Sequence, residues 1–229
     1  LHAMATGIPS HRLLIIMHRT VKVATALQHR SHVVVGLGIL GKNLDHLPVK
    51  GDGAVDLTGL TVLEVGCGTG HSLLTLSQQV GPAGRVYGLD LSDGMLGQAR
   101  RRLNRSGMGQ WTTLQCGDAV HLPFPAESFD ALFMSFTLEL FDTPELPMVL
   151  EECQRVLKQG GRISVVALAK KKKLAVSLYE WFHMRLPDYV DCRPIYVRDA
   201  MTESEFHLIK AIECVMWGLP VDVILACKR

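Results

Sequence analysis

Leu63-Glu64-Val65-Gly66-Cys67-Gly68-Thr69-Gly70 is the stretch that decides the fold of this 229-residue chain. A short β-branched strand, 61–65, feeds a loop with glycine at every second position, and a helix is expected over 69–80. Glycine has no Cβ, so alternate glycines let a backbone pass close under a ligand. Asp90 closes the next apolar strand, Val86-Tyr87-Gly88-Leu89-Asp90. That is the spacing at which a nucleotide-binding α/β unit keeps a carboxylate for two ribose hydroxyls. The pairing points to a nucleoside ligand.

Which nucleoside follows from what the loop lacks and what precedes it. No Gly-Lys-Ser/Thr ends the loop, so it is not a P-loop. Glu64, at the mouth of the strand, would repel a pyrophosphate and suits an amino group or a sulfonium. Together with Asp90 this resembles the class I S-adenosylmethionine-dependent methyltransferases, whose first motif reads Glu/Asp-x-Gly-x-Gly-x-Gly. Val120 to Phe133, with Leu122-Pro123-Phe124-Pro125 and Ser128-Phe129-Asp130, and the turn Leu157-Lys158-Gln159-Gly160-Gly161-Arg162, resemble the branch close to the quinone C-methyltransferases. In that turn Gln159 stands where the branch carries proline. Asp130 itself reads as a strand-start or turn residue rather than a ligand.

From residue 58 onward strands and helices alternate, which requires a parallel sheet with right-handed crossovers. Strands are expected at 61–65, 85–90, 111–116, 129–134 and 162–168, and helices at 69–80, 93–105 and 144–157. Two closing strands, 206–217 and 221–227, flank Gly218-Leu219-Pro220. The expected fold is α/β, a Rossmann-like seven-stranded, mostly parallel sheet with an antiparallel C-terminal hairpin and helices on both faces. Residues 55–229 would form the cofactor-binding domain, and 1–54 a basic, acid-poor N-terminal segment.

In such a sheet the ligand lies outside the carboxyl ends of the strands. Gly66, Gly68 and Gly70 would admit the methionine portion of S-adenosylmethionine, and amides from Thr69 onward would face its carboxylate. Asp90 would take the ribose hydroxyls, with Ser92-Asp93 left to cap the following helix. By resemblance, Cys116-Gly117-Asp118-Ala119 is the segment where an acid accepts the adenine amino group. Asp118 would equally serve as a turn cap before Pro123. The resemblance extends the cofactor-facing set to Glu64, Cys67, Leu91, Ala119 and Ser135, with no metal among the ligands.

Methyl transfer from a sulfonium needs alignment more than protein nucleophiles, and a base only when the acceptor keeps its proton. Ser135-Phe136-Thr137-Leu138-Glu139-Leu140 follows the fourth strand, over the expected sulfonium position. Glu139 stands where relatives often carry histidine and is the candidate general base; an exposed helix carboxylate is the competing reading.

Composition excludes several other classes. The chain is 48% hydrophobic with a formal net charge of +2, so it is a globular protein with no electrostatic argument for nucleic acid. It lacks the Asn/Asp-Pro-Pro-Tyr/Phe and Pro-Cys sequences of nucleic-acid methylases, and Arg100-Arg101-Arg102 with Arg105 reads as a solvated helix face. No apolar run reaches transmembrane length. Six cysteines without a C-x-x-C pair fit a reducing, cytoplasmic setting.

Gly36-Leu37-Gly38-Ile39-Leu40-Gly41 matches a dinucleotide fingerprint, but Pro48, Gly51 and Gly53 deny it the following helix. The first 44 residues hold no Asp or Glu and five of the ten histidines. They read as a basic helix beside the cofactor cleft or as a transit peptide. Relatives place an aromatic-bearing lid there, yet the first aromatic residue is Tyr87.

Acceptor specificity is expected from the insertion 169–197, where Lys170-Lys171-Lys172-Lys173 precedes Tyr179, Trp181, Phe182, His183 and Tyr189. Residues 170–184 would meet an anionic substrate or a membrane surface peripherally, or form a solvated turn before a packing helix. The sequence therefore predicts an S-adenosylmethionine-dependent methyltransferase acting on a small-molecule or lipid-like acceptor. A polyprenyl quinone C-methyltransferase is the narrower alternative, and a non-catalytic, cofactor-binding regulatory or scaffolding protein the alternative from another class.

Overall fold

The computed structural model describes residues 56–171, 193–216 and 218–229. Within them, seven strands form one sheet: β1 Thr61–Val65, β2 Arg85–Asp90, β3 Thr112–Cys116, β4 Phe129–Ser135, β5 Leu157–Leu168, β6 His207–Met216 and β7 Leu219–Cys227. Their order is β3-β2-β1-β4-β5-β7-β6. The first five are parallel, with Val62 opposite both Val86 and Ala131, whereas β7 runs antiparallel to β5 and β6 antiparallel to β7. Chain order reverses direction between β1 and β4, so the crevice outside their carboxyl ends is where such a sheet receives a ligand.

The run Thr61-Val62-Leu63-Glu64-Val65 is almost wholly buried because side chains alternate between two covered faces. On one face Val62 and Val86 pack with Leu73, Leu76 and Val80 of α1 (His71–Val80) and with Leu96, Ala99 and Leu103 of α2 (Asp93–Arg105). On the other, Leu63, Val65, Leu132 and Met134 pack with Val149, Leu150 and Cys153 of α3 (Leu146–Val156) and with Val197 and Met201 of α4 (Val197–Glu203). Tyr87, Phe124 and Phe129 meet edge to face, with ring centroids 5.0 to 5.8 Å apart.

Several expected boundaries move for identifiable reasons. Helix α1 begins at His71 rather than 69, because Gly70 is left-handed at φ 76°. Strand β5 begins at Leu157 and carries Gly160, φ 69°, through a register shift against β4; the segment 157–162, expected as a turn ahead of a strand at 162–168, is part of the strand and bends it. Helix α4 and a 3-10 turn over Leu138–Leu140 were not anticipated. Gly218, φ 81°, makes the turn of the closing hairpin. Asp130 behaves as a strand-start residue: it accepts from the Thr61 amide (2.9 Å) and from Lys158 (2.7 Å) at the amino ends of the strands, away from the crevice. The segment 1–54, including Gly36–Gly41, lies outside the described residues, as do Tyr179, Trp181, Phe182, His183, Tyr189 and Cys192 of the insertion. Among the described residues, no helix is long and apolar enough to cross a membrane.

Candidate active site

The glycine loop leaves β1 held on both sides. Gly66 and Cys67 donate to the Leu89 carbonyl at 2.8 and 2.9 Å, Gly70 donates to Cys67 at 2.9 Å, and Gly68 donates to Asp90 Oδ2 at 2.7 Å. All three glycines are left-handed, with φ 71°, 52° and 76°. They do different work. A Cβ on Gly66 would run into the Thr137 side chain, and one on Gly70 would lie 2.8 Å from Ala99 Cβ, so these two positions are closed by packing. Only Gly68 faces open space, with nothing within 4 Å of its Cβ position. Glycine is thus required by packing at Gly66 and Gly70, whereas Gly68 borders open space.

That difference sets a stability prediction. Gly66→Ala combines an unfavourable φ with overpacking against Thr137 and is expected to cost about 2 to 4 kcal/mol. Gly68→Ala meets only the φ penalty, about 1 kcal/mol. Urea unfolding of both variants checks the ordering; equal losses would contradict it.

Asp90 is 9% exposed at the end of β2. Oδ2 takes the Gly68 amide and Oδ1 the Ser92 amide at 2.9 Å, which leaves each oxygen a second lone pair. Burial raises its pKa, and the two amides oppose that rise. Capping of α2 falls to Ser92, whose hydroxyl accepts from Met95 at 3.4 Å.

Glu64 lies beneath the loop rather than at an open mouth, 2% exposed. Oε1 accepts from the Ser72 hydroxyl of α1, whereas Oε2 is buried without a donor. Desolvation pushes its pKa up to about 8; the Ser72 bond opposes this and the Asp90 charge adds to it. Burial therefore favours the protonated carboxyl over the carboxylate in the empty loop.

Cys67 turns inward at 2% exposure, and desolvation with the charges of Glu64 and Asp90 raises its thiol pKa, so only its backbone borders the loop's open side. Leu91 is 58% exposed beside Asp90, an apolar surface on the crevice rim, and Ala119 is buried. Asp118 is exposed and accepts from the Val120 amide at 3.0 Å, the turn-capping arrangement. The loop after it is pinned by Glu152, which accepts from the Leu122 amide (2.7 Å), and by Arg155, which donates to the carbonyls of Leu122 and Phe124 (2.9 and 2.8 Å).

Past β4, Phe136 is a buried non-glycine residue at φ 53°, its amide held by the Val166 carbonyl at 2.8 Å. Such a conformation costs on the order of 1 to 3 kcal/mol and persists because packing enforces it. The kink seats Thr137 on Gly66, with Oγ1 donating toward the Val65 and Ser135 carbonyls (3.2 Å each), and carries Glu139 under the surface. Ser135 Oγ is buried without a partner.

Glu139 is fully buried, so the exposed helix carboxylate is ruled out. Oε1 accepts from the Leu168 amide at 3.2 Å and Oε2 has no donor; burial pushes the pKa to about 8, opposed by the amides of Glu139 and Leu168. Arg193 ties this corner together, donating to Thr143 Oγ1 and the Phe141 carbonyl (2.7 Å each) while its amide meets the Glu139 carbonyl at 3.4 Å. Lys171 pairs with Glu213, and Lys170 Nζ lies 5.8 Å from the Tyr196 ring, so the first two residues of the lysine run serve internal contacts.

Sequence reasoning placed Arg102 on a solvated face, whereas its guanidinium reaches back to the glycine loop at Thr69 and His71. Three adjacent arginines carry no signal for which one turns inward. Thr137 and Phe136 likewise escaped notice, since nothing local marks a threonine that fills the space of a distant glycine.

Comparison with known proteins agrees with this geometry. A family model described as "Methyltransferase domain" matches residues 62–161. A demethylmenaquinone methyltransferase from Lactococcus lactis subsp. lactis is 38% identical over 162 residues, covering 71% of this chain and 58% of that protein. One of the same name from Symbiobacterium thermophilum is 35% identical over 145 residues, covering 58% of this chain and 57% of that protein. The chain thus spans somewhat over half the length of these curated relatives. The crystal structure of a SAM-dependent methyltransferase from Aquifex aeolicus superposes with a TM-score of 0.59 at 23% identity, over 75% of this chain and 84% of that one. The segment that matches the methyltransferase-domain model, 62–161, contains the glycine loop, Asp90 and the Ser135–Glu139 corner together.

Proposed function

We propose that the chain is an S-adenosylmethionine-dependent methyltransferase acting on a small-molecule or lipid-like acceptor. The observation that carries this reading is the Gly68–Asp90 pair at the sheet's switch point: an open glycine 2.7 Å from a carboxylate that retains a lone pair on each oxygen. The surrounding donor set fits the cofactor. Glu64 Oε2 and Ser135 Oγ are buried and unpartnered, and a cationic amino group would satisfy the first and hold it ionised. Helix α1 has Gly70 as its N-cap, with no side-chain cap, leaving the first helical amides for a carboxylate. Asp90 binds the ribose diol, Leu91 and Ala119 border the adenine, and Asp118 accepts from its amino group.

The cofactor supplies an electrophilic methyl on a sulfonium. The chain aligns the acceptor with it, excludes water and, where the acceptor carries a proton, takes that proton on Glu139 Oε2. Alignment alone can supply ~7 to 11 kcal/mol of barrier lowering. C-methylation of a polyprenyl quinone precursor is the narrower reading, and the two relatives named for demethylmenaquinone support it. A cytoplasmic enzyme meeting its greasy acceptor at a membrane surface belongs to the same proposal.

Labelled methyl transfer to a prenylated naphthoquinol presented in neutral detergent micelles tests it. Label in the organic phase is expected. Calorimetric binding of S-adenosylhomocysteine without transfer to any of a panel of phenols, quinols and amines would instead favour a non-catalytic binding protein.

A further inference from the structure

The peptide between Thr69 and Gly70 leads into Gly70, the N-cap of α1, and its orientation helps set where the first helical amides point. Its N–H is fixed by the Cys67 carbonyl at 2.9 Å. Its C=O is fixed from another element, by Arg102 Nη1 on α2, which also stands 3.1 Å from Thr69 Oγ1 and 2.8 Å from His71 Nδ1. Arginine only donates, so Nδ1 accepts and His71 carries its proton on Nε2. Arg102 follows Ala99 by three residues, on the same face of α2, and Ala99 is the residue that closes Gly70. The same helix therefore shapes the loop twice: by contact at Gly70, and by hydrogen bonding at Thr69.

We propose that Arg102 is a positioning residue for the amino-acid end of the bound cofactor, acting through the Thr69–Gly70 peptide. The inference rests on the functional reading above and adds to it a residue that touches neither ribose nor adenine. Nη1 stands within hydrogen-bond distance of three acceptors, and a lysine ammonium keeps the charge and the donors without arginine's fixed fork and reach. Asp90 anchors the other side of the loop at Gly68 and does not depend on Arg102. The two ends of the ligand are thus held by separate devices, and loss of Arg102 should be felt at one end only.

Calorimetry with two ligands on the full chain tests this. S-adenosylhomocysteine carries the amino-acid end and 5′-methylthioadenosine lacks it. Arg102→Met is expected to weaken S-adenosylhomocysteine on the order of tenfold, leave 5′-methylthioadenosine unchanged, and Arg102→Lys to recover part of the loss. Equal losses for both ligands would show a general structural role and overturn the proposal, as would no loss for either. Thermal unfolding reports whether Arg102→Met is folded; if it is not, Arg102→Lys carries the same two-ligand comparison. A wild-type chain that binds neither ligand would remove the functional reading itself, an outcome distinct from a binding wild type with an indifferent variant.

Discussion

Asp90→Ala is expected to lower S-adenosylhomocysteine affinity by two orders of magnitude or more while the chain remains folded. The carboxylate offers two acceptors to a ribose diol, and charge-assisted bonds are worth about 1.5 to 3 kcal/mol each, so ~3 to 6 kcal/mol is at stake. Each 1.4 kcal/mol is about tenfold. The structure adds a second contribution, because Asp90 also holds the Gly68 amide at 2.7 Å and the Ser92 amide at 2.9 Å. Removing it frees the open side of the loop along with the ribose contact. Asp90→Asn keeps one acceptor oxygen and should fall between wild type and alanine. Titration calorimetry, with circular dichroism to confirm folding, checks the series; undiminished affinity in folded Asp90→Ala would remove the ribose assignment.

The second large effect concerns Glu139 and separates stability from turnover. Its pKa is pushed from the ordinary 4.5 to about 8 by burial, so between those values the folded chain holds a proton that the unfolded chain has released. Stability from this group is therefore full below pH 4.5 and is lost as pH rises to about 8. Glu64 acts in the same direction. Glu139→Gln keeps the shape and removes the titration. Relative to wild type it should gain on the order of several kcal/mol across that window, with no gain at pH 4. Urea unfolding at pH 4, 6 and 8 reads this out, and parallel curves would contradict the burial argument. On turnover of a proton-bearing acceptor the same variant should lose about 10²- to 10⁴-fold in kcat with cofactor affinity intact, the usual weight of a general base. Wild-type rate should climb with pH and level off near 8. Full activity in Glu139→Gln would leave the proton to another acceptor.

Much of this was legible in the chain itself, for reasons that differ by element. Strands β1, β2 and β4 are buried on both faces, so their apolar runs stand out without a partner to consult. The loop announces itself because three spaced glycines mark a backbone at positive φ, a region that glycine enters without strain. Residues whose role depends on a distant neighbour were not legible. Arg102 looks like Arg100 and Arg101 until α2 is set beside α1. Glu139, flanked by Leu138 and Leu140, reads equally as buried or exposed until the Phe136 kink carries it inward. Asp118 was expected to cap a turn or to bind adenine; its bond to the Val120 amide shows the cap and uses one oxygen. Helix α4 spans only Val197–Glu203, too short for its pattern to rise above the surrounding loop.

A crystal structure of the chain soaked with S-adenosylhomocysteine tests the central claim most directly. Both ribose hydroxyls are expected within hydrogen-bond distance of Asp90, with the amino-acid end over Gly68 and sulfur directed toward Ser135 and Glu139. Ligand density away from the β1 and β2 carboxyl ends, or a crevice filled by side chains that exclude it, would rule out this binding mode.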